Sequence, residues 1–248
     1  MATVAERPRL QVLRAIERRV LWLAVRMVDY ANRERPKEDA LKVGGHQASS
    51  ASLATLMTAL YLSDLRGEDR VAVKPHASPA LHAIEYLIGR LDRRYLTTLR
   101  DFGGLQPYPS RAKDPFPVDY STGSVGLGSA APLFGALADR YVRTHFGHGT
   151  GGRFISLLGD AELDEGTIWE AVLEPQTRGL GNVLWIVDLN RQSLDRVVPV
   201  IRAGELERLF ETAGWRVIEL KYGRRLRQAF AQEGGDLLRR QIDAMPNQ

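Results

Sequence analysis

The sequence predicts an α/β fold, a parallel sheet with helices on both faces. Three observations predict it. Short apolar runs of strand length alternate with segments of helical period through the second half of the chain, the pattern of a parallel sheet with crossover helices. Two of those runs end in polar residues, Gly159-Asp160 and Asp188-Leu189-Asn190, as strands do at the ligand-binding edge of an open sheet. With 44% apolar and 26% charged residues in a chain of 248, there is enough material for a sizeable core.

The elements follow in order. Residues 9–32 form an amphipathic helix, because Leu13, Ile16, Val20, Leu23, Met27 and Ala31 recur three or four apart and so share one face. Residues 33–39 are charged and contain Pro36, which marks a linker. The expected division is therefore an N-terminal helix and linker over 1–40 and a binding domain over 41–248. The pair Gly44-Gly45 precedes His46, and the small and apolar residues of 48–62 read as a buried helix. The run 71–73 is too short to assign. Lys74-Pro75-His76 is a turn, and 81–91 has helical period. Residues 101–119 carry Gly103, Gly104, Pro107, Pro109, Pro115 and Pro117, a long irregular loop of the kind that is often functional. The glycine-rich segment 121–128 leads into a helix over about 130–146. Strands are expected at 153–158, 182–187 and 215–220, with helical segments between them, one of them at 167–173 before Pro175. Residues 237–244 begin another helix.

Composition removes several function classes. The absence of cysteine excludes disulfides, thiolate metal sites and a cysteine nucleophile, and fits a reducing, cytoplasmic setting. The net charge of +4 is diffuse, so no nucleic-acid partner is expected. No apolar run reaches the length of a membrane span, and no signal peptide is visible at the start.

Two strand ends suit a hard cation. The first supplies Asp160, with Glu162, Asp164 and Glu165 behind it; the second supplies Asp188, Asn190 and Gln192. Asp160 and Asn190 lie 30 residues apart (190 − 160), the length of one strand–helix–strand unit. Mg²⁺ takes one or two protein carboxylates together with phosphate oxygens. Singly, these residue types also cap helices and serve turns; together, at this spacing, they favour the metal. The glycines of 123–128 would let backbone amides approach a phosphate at a helix N-terminus, although a tight loop-to-helix turn has the same composition. The glycine order is neither the dinucleotide fingerprint nor a P-loop. His46 and His76 each sit in a turn before a helix, where an imidazole can move protons near neutral pH or serve as a cap. His82 reads as helix packing, and His145 and His148 as loop residues.

These residues carry a resemblance. The segments G-G-H-Q-A-S-S-A-S (44–52), K-P-H-A-S-P (74–79), S-T-G-S-V-G-L-G (121–128), L-G-D-A-E-L-D-E-G (158–166) and V-D-L-N-R-Q-S-L-D (187–195) resemble the diphosphate-binding domain of thiamine diphosphate enzymes in the transketolase superfamily. The likeness is strongest to the homodimeric decarboxylating component of the pyruvate dehydrogenase complex. The resemblance implies Mg²⁺ ligation by Asp160, Asn190 and the backbone carbonyl of Gln192. It implies cofactor contacts at Gly126, Leu127, Gly159, Ala161 and Leu194, and proton handling by His46 and His76. Four departures stand out. Ala161 replaces a usual glycine, Asp188 stands in the paired-asparagine motif, Lys74 stands where the branch often has an uncharged polar residue, and the loop from Tyr108 to Arg111 lacks a histidine that several relatives carry.

The resemblance further implies a second domain that grips the aminopyrimidine and supplies an activating glutamate. This chain is therefore expected to be a fragment or split subunit, inactive alone. It would work as a homodimer or by pairing with a chain bearing the pyrimidine-binding domain. Three readings follow: decarboxylation of a 2-oxo acid such as pyruvate, ketol transfer between sugar phosphates, or a non-catalytic binding module that keeps the fold.

Overall fold

The computed structural model describes residues 6–37, 41–190, 192–193, 196–197 and 203–244. Two compact units divide the chain, Met1–Asp188 and Leu189–Gln248. In the first, the expected amphipathic helix forms α1 (Glu6–Arg33). Its apolar stripe buries Val20, Ala24, Met27 and Ala31, the 3–4 spacing that places side chains on one face. That face joins a core with Leu53 and Met57 of α2 (Gln47–Ala59) and with Ala80, Leu81 and Ile84 of α3 (Ser78–Leu87). The expected buried helix at 48–62 is buried on one face only, since Ala48, Ala51, Ser52, Thr55 and Ala59 are exposed. It closes in a single π turn, Leu60–Asp64.

The sheet has three parallel strands in the order β1 (Arg70–Ala72), β2 (Phe154–Gly159), β3 (Val183–Asp188). Register pairs Arg70 with Phe154 and Gly159 with Asp188, so β2 and β3 end level. Every residue of β2 is buried, as befits a central parallel strand covered on both faces. Alternation decides which side each residue serves. Val71, Val73, Ile155 and Leu157 enter the core with α1, α2 and α3. Phe154 lies against α4 (Leu127–Phe146), close enough that a Cβ on Gly135 would meet its ring at 3.1 Å. α5 (Gly166–Leu173) follows β2, and the chain turns at Pro175 before β3. His145 falls in the last turn of α4, stacked on Tyr141 at 4.0 Å, and not in a loop.

The second unit contains a minimal antiparallel pair, β4 (Gln192–Ser193) and β5 (Arg196–Val197). Three helices follow: α6 (Ala203–Thr212), α7 (Arg224–Phe230) and α8 (Gly235–Ala244). The strand expected at 215–220 is not formed. Those residues have no regular structure, and Ile218 and Leu220 are 69% and 90% exposed. An alternating pattern becomes a strand only where a neighbour completes its ladder, and no ladder among the described residues includes this segment. The third strand is instead the short run at 71–73, which pairs with β2 because Asp69 and Arg153 lock their starts together at 2.5 Å.

Candidate active site

Two histidines far apart in sequence meet. His46 is the residue before α2, and His76 lies in a 3-10 turn, Pro75–Ala77, before α3. Their rings stack with centroids 3.9 Å apart. Neither reading of His46 as a side-chain helix cap nor a surface position fits, since it makes no side-chain cap bond and is half-buried. Gly44 and Gly45 set up the approach. Both have positive φ, +87° and +119°, a region costly for side chains with a Cβ. A Cβ on Gly45 would lie 2.9 Å from Val28 of α1. Asn32 of α1 pins this turn from both sides, its amide donating to the Gly44 carbonyl and accepting from the Gly44 N–H, each at 2.9 Å.

Two further residues complete the histidine pocket. Tyr108, delivered by the long loop, places its ring 5.6 Å from that of His76. Arg100 lies 5.9 Å over the Tyr108 ring and donates to the Val43 carbonyl at 2.9 Å. Arg100 holds φ at +61°, an uncommon conformation for a side chain of its size. Gly45, His46, His76, Pro79, Leu99 and Arg100 line the recess between them. Burial pushes the His76 imidazole down to about 4, aided by His46, Lys74 and Arg100 nearby. His76 is therefore neutral at pH 7. The loop that carries Tyr108 is anchored by buried Asp114, which accepts from the N–H groups of Gln106 and Ser110 at 3.2 and 2.8 Å and faces His82 of α3 at 3.5 Å.

The strand-end edge adjoins this pocket through Lys74-Pro75-His76. Asp160 follows β2 directly and opens a 3-10 turn, Asp160–Asp164, with its Oδ1 buried. Ala161 sits in that turn without positive φ, so an alanine fits the backbone where the resemblance has a glycine. Glu162 is buried, and its Oε1 accepts the Gly159 N–H at 3.0 Å. The Gly126 N–H also donates to it. Glu162 thus ties the β2 end to the glycine segment before α4. Burial pushes its carboxyl above the ordinary range, against those two amides and Lys74. Thr122 of the same segment donates to the Val73 carbonyl at 2.8 Å, tying it to β1 as well.

Gly126 has φ +88°, and a Cβ there would meet Glu165 at 3.2 Å. These close approaches make a narrow edge with an acidic ligand, which fits a diphosphate and a hard cation. The N–H groups of Gly159 and Gly126 are engaged by Glu162, and the places a Cβ would take at these glycines are filled by Lys74 and Glu165. Among the described residues no three His, Asp or Glu side chains converge as a metal cage.

Lys74 and Asp188, two of the departures noted in the sequence, meet as one ion pair at 2.8 Å, with side chains 7% and 14% exposed. Ser52 of α2 donates to the same carboxylate oxygen at 2.5 Å. Sequence reasoning missed this pair, along with the roles of Glu162, Arg100 and Tyr108. The signal available for the pair was the coincidence of two unusual charges at the ends of two strands. Asn190 is half-buried and follows Asp188 by two residues, in the second unit. Gln192 begins β4. Leu194 lies outside the described residues.

The family profile described as "Transketolase, thiamine diphosphate binding domain" matches residues 44–232. The pyruvate dehydrogenase E1 component of Escherichia coli (strain K12) is 32% identical over 230 residues, covering 87% of this chain and 25% of that protein. The pyruvate dehydrogenase E1 component of Mycolicibacterium smegmatis is 32% identical over 229 residues, covering 84% of this chain and 24% of that protein. The chain spans about a quarter of the length of these curated relatives. Among solved structures, transketolase from Leishmania mexicana superposes with a TM-score of 0.72 at 20% identity, over 95% of this chain and 35% of the other; this likeness concerns the fold.

Proposed function

The chain belongs to the transketolase, thiamine diphosphate binding domain family, and from that premise we propose that it is the diphosphate- and Mg²⁺-holding part of an enzyme that decarboxylates a 2-oxo acid such as pyruvate. The observation that carries the reading is the stacked pair His46–His76, joined by the turn at Lys74-Pro75 to the strand edge that ends in Asp160. In this reading Asp160, Asn190 and the Gln192 carbonyl hold Mg²⁺. Gly126, Leu127, Gly159 and Ala161 line the cofactor. The division into a helix and linker over 1–40 and a binding domain over 41–248 belongs to the same reading; the profile's start at residue 44 supports it.

Thiamine diphosphate, when bound, supplies a nucleophilic carbon and an electron sink. The chain's own residues then have defined tasks. The Asp160 carboxylate offsets cation charge, which in turn offsets the phosphates. His46 and His76, stacked at the recess, handle protons on the substrate or its intermediates. Arg100, beside it, attracts the carboxylate of a small anionic substrate. The same guanidinium favours a second reading, ketol transfer between sugar phosphates, because it would equally receive a phosphate.

A partner completes the site: a second copy of the chain or a chain bearing the pyrimidine-binding domain, working in the cytoplasm. No described helix is long and apolar enough to cross a membrane. The test is to mix the chain with one bearing the pyrimidine-binding domain and assay pyruvate decarboxylation beside ketol transfer from xylulose 5-phosphate. Decarboxylation only in the mixture is the expected result. Ketol transfer without decarboxylation would select the second reading, and neither activity would overturn both.

A further inference from the structure

We propose that Lys74 and Asp188 act as one unit, a charge-cancelling strap over the end of β2 that sets the electrostatics of the diphosphate edge. The inference rests on the reading of that edge as a diphosphate site. Lys74 leaves the end of β1, crosses β2 and reaches Asp188 at the end of β3, with Nζ 2.8 Å from Oδ2. Its path is fixed by Gly159: a Cβ there would lie 3.3 Å from Lys74 Cδ and 3.7 Å from Nζ. Gly159 is the residue before Asp160 and the register partner of Asp188. Ser52 fixes the carboxylate from α2 at 2.5 Å.

Two side chains, Lys74 and Ser52, therefore converge on one carboxylate beside the expected cofactor phosphates. Asp188 by itself would place a poorly solvated negative charge against a diphosphate. Lys74 cancels it, and with 6% exposure it has little water to screen the effect. A buried pair of this kind is costly to break from one side and cheap to replace as a whole. The two single neutralisations should accordingly move diphosphate affinity in opposite directions, although each removes the same ion pair. Loss of Lys74 leaves an extra negative charge, and loss of the Asp188 charge leaves an extra positive one. A strap that served only the fold would move both the same way.

The experiment is calorimetric titration of the full chain with thiamine diphosphate in Mg²⁺, and with inorganic diphosphate in Mg²⁺ as a probe lacking the thiamine rings. It compares the unsubstituted chain with Lys74→Gln, Asp188→Asn and the double variant, with a thermal melt for each. Expected are about tenfold weaker binding for Lys74→Gln, equal or tighter binding for Asp188→Asn, and recovery to within about threefold in the double variant. Weakening in both single variants, in step with their melting temperatures, would overturn the proposal, as would a Lys74→Gln chain that binds as well as the unsubstituted one. If Lys74→Gln does not fold, the sign of the change in Asp188→Asn decides. No binding by the unsubstituted chain would overturn the diphosphate reading itself and the strap with it, whereas binding there with no effect of Lys74→Gln removes only the strap.

Discussion

At the scale of single residues, the site is governed by how water is excluded from a few polar groups. His76 is half-buried beside His46, Lys74 and Arg100; burial first, and then these basic neighbours, penalise a positive imidazole. Its folded value, about 4, lies below the ordinary histidine value. The unfolded chain therefore binds a proton that the folded chain does not across the interval between them. Stability contributed by neutral His76 is complete above the ordinary value and is lost as pH falls toward 4. Melting temperatures measured across that interval should fall with pH for the native chain, and less steeply for His76→Asn; identical slopes would remove the group from the account. In the partnered enzyme, His46→Ala and His76→Ala should each lower turnover by roughly 10²–10⁴-fold while cofactor affinity changes far less. The histidines were legible as candidates because each precedes a helix beside Gly or Pro. Their stacking was not, because it depends on α1 holding one turn and the 3-10 segment holding the other.

At the scale of elements, α1 does more than precede the domain. Its Asn32 fixes both backbone groups of Gly44, and its Val28 packs where only Gly45 fits. The helix therefore positions His46. Asn32→Ala should destabilise the chain by about 1–2 kcal/mol, the usual effect of losing hydrogen bonds to part-buried backbone. It should also release the histidine turn, read as faster amide exchange at Gly44 and Gly45. Unchanged exchange there would show the turn to be held by the glycines alone. Helices and the two long strands were readable because their apolar residues recur at a fixed period over enough length, as in α1 and β2. The segments that misled were short or unpaired. Three residues at Arg70–Ala72 form a strand because β2 offers an edge, whereas 215–220, with the better alternation, finds none among the described residues. Pairing is a tertiary property, and period alone does not report it.

At the scale of the whole molecule, a parallel sheet presents its strand ends at one edge, which we propose to be a cradle for a diphosphate and its cation. The glycine segment, the Asp160 turn and the histidine pocket are held to that edge by Glu162, Thr122 and Lys74. Motif order along the chain made this edge legible as a candidate site. The buried charges that lace it together were not, since Glu162, Lys74 and Asp188 look like surface residues until the fold encloses them. Calorimetric titration of the chain with thiamine diphosphate, with Mg²⁺ and with a chelator, repeated on Asp160→Ala, decides whether this edge is a diphosphate site. Binding should need the metal and be abolished in the variant, whose fold by circular dichroism stays intact. Binding that ignores the metal, or an Asp160→Ala chain with unchanged affinity, would contradict that reading.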